Sequence, residues 1–449
     1  MREMKWKSYD KSRLIDVIIV LSAFFVYFFW ALQLPVQQAP DEAMRFYVPK
    51  YIFATGSLPR GDDPRVIDDI WGFSYAFTPY GSSLLSVCFM KITYLFCQSG
   101  TALYIASRMT SVFSGAGTLI FCLKTGRLAF KKPITRWTYA ILVGFLPQFV
   151  FLSSYLNNDS FAVFTSSAIF YYWFKGLKDG WNVRSCVGLG IWLGFCALSY
   201  YNAYGYILCS MVVFFYSVLR RENGKKENWK FLITRGGLIF AIAFAIAGWF
   251  FIRNFILYQG DFLGMDAMYA CGELHGMEQY RFSNRMTFQR QSVSIFYMLL
   301  HTNWVSKTLF SFFAVFGYAD IYVGKIFYIV YTGLTAVGVC MGMRAVFLAK
   351  KEKYNKLILA NGLLAMLIPV VLSLYYSYAC DYQAQGRYIM PGLPVIMFFL
   401  TIGVDRMERR FSKKFFKIYG ITAVLWLALF SFIFVKCIVP QCMGGCYAP

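Results

Sequence analysis

Two carboxylates stand side by side in Pro40-Asp41-Glu42, just past an apolar run at residues 14–34. Acids at a membrane boundary cost free energy to place and tend to be kept for function. A carboxylate there can take a proton from an incoming hydroxyl. It can equally hold a divalent cation through oxygen ligands. Read alone, the pair also fits a solvated loop after a helix. Behind the stiff Pro40, residues 41–54 read as an amphipathic helix lying on the membrane. Asp62, Asp63, Asp68 and Asp69 follow in the same loop, with Asp62-Asp63-Pro64 reading as a turn.

Three later places carry chemistry-bearing groups. Asn158-Asp159 sits between two apolar runs, where it serves as a hairpin turn or helix cap, or puts an acid into the same cavity as Asp41. Arg253 lies near the end of an apolar run, in Trp249-Phe-Phe-Ile-Arg253-Asn254, and either snorkels or faces an interior cavity. A guanidinium suits bidentate binding of phosphate. Arg387 lies in Asp381-Tyr-Gln-Ala-Gln385-Gly386-Arg387-Tyr388, where Gly386 lets the backbone turn closely. Arg387, Tyr388 and Gln385 are placed to meet a lipid phosphate, because charge-assisted Arg–phosphate bonds are strong and directional. His275 and His301 are too few for a histidine-rich metal site and read as ordinary loop residues. No P-loop, HExxH, GxSxG or CxxC pair is present, which removes support for ATP-driven transport by this chain alone and for HExxH proteolysis.

The elements that must position these residues are membrane helices. The chain has 449 residues, 58% hydrophobic and 20% aromatic, with mean hydropathy +0.51. Soluble domains carry more charge and lack repeated apolar runs of about 20 residues. The runs are too long for barrel strands. The first run is also too long for a secretory signal peptide and lacks its small-residue cleavage site. The formal charge of +22 does not point to nucleic acid, because Lys and Arg gather in short clusters between apolar runs. That pattern encodes topology and attraction to anionic lipid. Most of the twelve cysteines lie inside apolar runs and behave as small hydrophobes. Cys437, Cys442 and Cys446 share the tail, where a disulfide can form if the tail faces outward.

Expected spans are 14–34, 101–123, 137–156, 160–175, 186–201, 204–219, 236–257, 325–346, 356–377, 391–404 and 416–437, about eleven in all. Basic clusters follow every second span: around Lys124–Arg136, Lys175–Arg184, Arg220–Lys230, Arg344–Lys356 and Arg406–Lys417. With the basic N-terminus they define the cytoplasmic face. Residues 71–98 are apolar enough to cross, but a crossing there would turn every later cluster outward. They are therefore expected as interfacial or shallow re-entrant helices, with a cytoplasmic excursion around Cys97–Gly100 as the competing reading. The whole chain reads as one all-α polytopic domain, with long outer loops at 35–100 and 258–323, neither large enough to fold alone.

Taken together, these stretches resemble the GT-C superfamily of polyprenol-phosphate-sugar-dependent glycosyltransferases. The likeness is nearest to a bacterial membrane-protein family related to protein O-mannosyltransferases and aminoarabinose transferases. It rests on Pro40-Asp41-Glu42 with Phe46, and on Asn157-Asn158-Asp159 with Ala162. It continues through Trp249, Arg253-Asn254, Tyr258 and Gly260-Asp261 to Gln385-Gly386-Arg387-Tyr388 with Pro391 and Pro394. The resemblance implies a GT-C-type helical bundle of about eleven transmembrane helices with interfacial helices in the first outer loop. It also implies a site on the extracytoplasmic face of a bacterial cytoplasmic membrane. It assigns the catalytic base to Asp41, with Glu42 beside it. Arg387, Arg253, Tyr388 and Gln385 are then expected at the donor phosphate, and Asp159, Asn158 and Arg45 in the substrate cavity. Where the family often has His four residues after the first acid, this chain has Arg45, which puts any metal or substrate role of that His in doubt; Gln259 reads as an insertion. The implied partners are a polyprenyl-phosphate-linked sugar, a cell-envelope acceptor (polysaccharide, lipid or protein) and membrane lipids. A divalent cation can accompany them, with its ligands unassigned.

The rival readings are a flippase or transporter of a lipid-linked glycan, a lipid-linked oligosaccharide ligase, and an inactive binding scaffold. A transporter is expected to show internal repeats and polar residues at mid-membrane. Here no repeat is visible, and the polar residues gather at the outer ends of the spans.

Overall fold

The structure is a computed structural model that describes residues 2–36, 38–222, 224–348, 356–411 and 418–438. The basic residues at 350–353 and 413–417 lie outside the described residues, as do Cys442, Cys446 and the Cys437 side chain.

The first helix, α1 (Arg2–Gln33), ends just before Pro35. The helix expected at 41–54 is α2 (Glu42–Thr55), closed by Gly56 at φ 70°, whose N–H donates to Ile52 O. Next come α3 (Gly81–Tyr94) and α4 (Gly100–Ala129), which pack as a hairpin. The Ser86 hydroxyl lies 2.9 Å from both Ser107 O and Thr110 Oγ1. At ~1.5 Å per residue, α3 is about 21 Å long, short of the ~30 Å hydrocarbon core. Residues 71–98 thus hold no helix long enough to cross.

The run expected as one span at 137–156 is broken. It forms α5 (Pro133–Gly144) and α6 (Pro147–Leu152). Pro147 starts a helix readily but cannot continue one. After α6 the chain stays in the interior, with Ser153 through Ser160 all buried. The sequence places Asn157-Asn158-Asp159 at an outer tip; the structure buries it.

The rest is helical: α7 (Asp159–Lys178), α8 (Val183–Ala197), α9 (Gly205–Leu219), α10 (Lys225–Leu257), α11 (Met265–His275), α12 (Ile295–His301) and α13 (Trp304–Phe313). A two-residue hairpin pairs β1 (Val315–Phe316) with β2 (Ile321–Tyr322), Phe316 opposite Ile321. The chain ends with α14 (Lys325–Phe347), α15 (Lys356–Ala379), the 3₁₀ turn Gly386–Gly392, α16 (Leu393–Phe411) and α17 (Ile418–Ile433).

Seven described helical stretches are long and apolar enough to cross a membrane: Lys11–Gln33, Tyr201–Leu219, Lys225–Leu257, Lys325–Phe347, Lys356–Ala379, Gly386–Arg410 and Ile418–Lys436. The other expected spans fall outside that set for physical reasons. Residues 137–156 are split, and α8 has only 15 residues. Helices α4 and α7 bury Ser and Thr (Ser107, Thr110, Ser111, Ser114, Thr118; Thr165, Ser166, Ser167), so they are less apolar.

Two close approaches fix the frame. On α14, Gly338 and Gly342 face α16; a Cβ at Gly342 would lie 2.0 Å from Phe399 O, and one at Gly403 2.1 Å from Gly338 O. Small residues four apart let backbones meet, as in membrane helix pairs. At the amino-terminal end, Asp16 on α1 accepts from Arg127, Arg136 and Trp137 Nε1.

At the opposite end of α1 sits a fully buried ion pair. Arg108 on α4 donates Nε and Nη2 to the two Glu42 oxygens at 2.8 and 2.9 Å, both side chains 0% exposed. Its other N–H groups reach Ala31 O in the last turn of α1 and Leu34 O and Pro35 O just beyond it. The Leu156 N–H adds a 3.0 Å bond to Glu42 Oε1. One carboxylate thereby ties α1, α2, α4 and the buried turn before α7. Removing one partner of a buried pair leaves an uncompensated charge, at a cost of about 3–5 kcal/mol.

Thermal unfolding in detergent is expected to show Glu42→Gln and Arg108→Met destabilised by about 3–5 kcal/mol each, with the double variant losing less than the two together. Gly342→Ala sets a methyl against a backbone carbonyl and is expected to cost about 1–3 kcal/mol in the same assay.

Candidate active site

Asp41 caps α2 with φ 59° and ψ 3°, a left-handed conformation uncommon outside glycine. Glu42 is drawn one way by Arg108, so the adjacent Asp41 side chain points the other way. Its Oδ2 accepts from Arg387 Nη2 at 2.7 Å, with the carboxylate 30% exposed and the guanidinium 8%. The Tyr75 hydroxyl lies beside the Asp41 carboxylate and helps to lower its pKa.

Arg45 lies one turn along α2, on the Asp41 side. Its guanidinium carbon stands 4.0 Å from the Tyr75 ring centroid and 5.9 Å from that of Tyr200. Asp159 opens α7 and is 1% exposed. Among the described residues its Oδ1 has no hydrogen-bond partner, nor have Arg45 Nε and Arg387 Nε and Nη1. Asp41, Arg45, Asp159 and Arg387 lie close enough for each acid to feel both guanidiniums. Burial alone would raise the Asp41 pKa, but Arg387 and Arg45 outweigh it and hold the carboxyl below its usual value. Burial, reinforced by Asp41, pushes the Tyr75 hydroxyl well above its usual range.

The Arg387 position depends on its neighbour. A Cβ on Gly386 would lie 2.1 Å from Phe312 N, and the Gly386 N–H donates to Ser311 Oγ at 2.6 Å. The turn therefore sits directly on α13. From Arg387 a polar chain runs outward: Arg387 Nη2 to Tyr388 OH at 3.3 Å, Tyr388 OH to Gln383 Oε1, and Gln383 Nε2 to Asp381 Oδ2 at 2.9 Å. Arg285, from the second long loop, stands 3.8 Å from Asp381 and 5.4 Å from the Trp71 ring.

Five of the residues singled out by the sequence thus share one place: Asp41, Arg45, Asp159, Arg387 and Tyr388. Four do not. The Glu42 carboxylate is bound to Arg108 and the Leu156 N–H and points away from that group. Asn158 is a connector, its Nδ2 donating to Pro79 O and its Oδ1 accepting from Ser82. Arg253 donates to Leu58 O and Pro59 O and so anchors the first loop. Gln385 offers its backbone N–H to Gln383 O, and Gln383 is the glutamine that meets Tyr388.

Asp62 and Asp63 pair with Arg60 and Arg65 in a surface turn. His275 ends α11 and His301 ends α12. Sequence reasoning missed Arg108, Tyr75, Tyr200 and Gln383. Arg108 carried a readable signal, a lone arginine inside an apolar run. The tyrosines, among 33 in the chain, carried none.

No protein-family profile and no curated protein sequence matches the chain. Solved structures do match in fold. The Archaeoglobus fulgidus oligosaccharyltransferase AglB, in complex with an inhibitory peptide and a dolichol-phosphate, superposes with TM-score 0.53 at 13% identity, over 95% of this chain and 55% of that one. An oligosaccharyltransferase of the same organism, in complex with zinc and sulfate, gives 0.53 at 13%, over 95% and 52%. ArnT from Cupriavidus metallidurans bound to undecaprenyl phosphate gives 0.53 at 15%, over 96% and 72%. The chain spans about half the length of the oligosaccharyltransferases it matches. At these identities the likeness concerns architecture alone: this chain shares the helical fold of these solved structures.

Proposed function

We propose that this chain is an inverting membrane glycosyltransferase that moves a sugar from a polyprenyl-phosphate donor to a cell-envelope acceptor. One observation carries the reading: a partly open carboxylate, Asp41, held 2.7 Å from a buried arginine that has donors to spare. A base and a phosphate-binding cation are the two groups such a transfer requires. The site lies at the end of the bundle away from the amino terminus. With the basic clusters taken as cytoplasmic, that end is extracytoplasmic.

The donor phosphate binds Arg387, with Tyr388 beside it, and competes with Asp41 for that guanidinium. The acceptor oxygen attacks the anomeric carbon while its proton passes to Asp41. The bond from that carbon to the phosphate oxygen breaks, and the lipid phosphate leaves with its charge met by Arg387. Glu42 and Arg253 act on the frame, the first through Arg108 and the second through the loop at Leu58 and Pro59. The fold likeness to proteins solved with polyprenyl or dolichol phosphate supports the donor class.

Asp41→Asn keeps the backbone, since Asn tolerates the left-handed region as Asp does. Sugar transfer measured with a labelled polyprenyl-phosphate hexose is expected to fall about 10²–10⁴-fold while the melting temperature holds. Near-normal transfer by that variant would remove Asp41 as base. Because Arg387 and Arg45 keep the folded pKa below the ordinary 3.8, the base is ionised at neutral pH. Transfer is therefore expected to stay level as pH falls towards that value and to be lost below it, read from a pH profile of kcat/KM.

A further inference from the structure

The buried site holds two acids and two arginines, so its own charges cancel. A divalent ion needs the opposite balance: ionised oxygen ligands or neutral imidazoles with no competing cation. Here Asp41 already bonds Arg387, Arg45 stands one helical turn away, and both guanidiniums act on Asp159. Among the described residues no three His, Cys, Asp or Glu side chains come close enough together to hold a metal ion. The residues present therefore do not fit the kind of centre that a structural neighbour solved with zinc brings to mind. A dication placed between these acids would lie against two fixed positive charges.

Arg45 balances Asp41 and the buried Asp159, yet part of its guanidinium is left unused. It is 5% exposed, it stacks on Tyr75, and its Nε is without a partner among the described residues. Leaving buried guanidinium donors unmet is costly, unless a ligand meets them. Arg387 is in the same condition at Nε and Nη1. Two inward guanidiniums with open donors match a phosphate monoester, which presents three oxygens and up to two negative charges.

We propose that Arg45 is a second anion-binding residue of this site, gripping the lipid phosphate together with Arg387, so that the chain binds its donor without a divalent cation. This rests on the sugar-transfer reading above. The charges balance through the step. The donor phosphodiester carries one negative charge, and the cluster of two carboxylates and two guanidiniums carries none. As the anomeric C–O bond breaks, the leaving phosphate gains a second negative charge. Asp41 gains the acceptor's proton, so one carboxylate and two guanidiniums remain with one net positive charge beside it. No further cation is required.

The test is binding of undecaprenyl phosphate, with no sugar attached, to the purified full chain in lipid nanodiscs. Wild type is expected to bind equally well in EDTA and in added Mn²⁺. Arg45→Ala is expected to bind at least about tenfold more weakly in both, and Arg45→Lys, which keeps the charge and loses the fork, to fall between. Matching melting temperatures separate loss of binding from loss of fold, and the Lys variant serves if the Ala variant does not fold. Binding lost in EDTA and restored by Mn²⁺ overturns the proposal, as does wild-type binding by Arg45→Ala. Absence of sugar transfer alongside metal-free, Arg45-dependent binding would sink the transferase reading and leave this one standing. EDTA-sensitive transfer would do the reverse.

Discussion

The Glu42–Arg108 pair is the constraint on which the site depends. It is the only place among the described residues where a wholly unexposed carboxylate meets a wholly unexposed guanidinium. Its worth lies less in Coulomb attraction, which desolvation largely offsets, than in how many separate segments it commits at once. The end of α1, the start of α2, the middle of α4 and the turn before α7 all bond to these two side chains. With Glu42 fixed, Asp41 has one direction left, and that direction meets Arg387. Asp41 holds a left-handed backbone at this helix start, and the two neighbouring carboxylates serve different partners.

The second support is steric. Arg387 reaches Asp41 because its turn lies flat on α13, and the turn lies flat because Gly386 has no side chain. The frame behind it is held by the glycines that seat α14 on α16. Close backbone packing and one buried ion pair, rather than any feature of the loops themselves, give the cluster its geometry. The loops then add its outer rim through Gln383, Asp381 and Arg285.

Much of this was legible in the sequence. Charge clusters and apolar runs gave the membrane class; 71–98 was expected as interfacial or re-entrant, and its one helix has 14 residues. Asp41, Asp159 and Arg387 stood out because acids and arginines at the ends of apolar runs need a reason to be there. Other parts were hidden. Pro147 splits a run whose hydropathy is continuous, and hydropathy does not register a missing N–H. Asn157-Asn158-Asp159 has turn composition, and composition cannot tell a surface turn from one threaded through the core. Glu42 and Asp41 look equivalent in one dimension; only the partner 66 residues away separates them. Arg253 was expected at the donor phosphate, and its bonds to the carbonyls of Leu58 and Pro59 are contacts that no residue type announces.

The two acids also differ in when they can be satisfied. Glu42 meets its partner 66 positions later, whereas Asp41 waits for one 346 positions on. Synthesis runs from the amino terminus, so the first bond is available while most of the helices are still unmade. The second must wait for nearly the whole chain. The early bond therefore holds a receptacle in shape for a residue that does not yet exist. Until Arg387 arrives, Asp41 has only Arg45 and Tyr75 beside it. A chain that stops before that point lacks the guanidinium that Asp41 pairs with, so its site is incomplete.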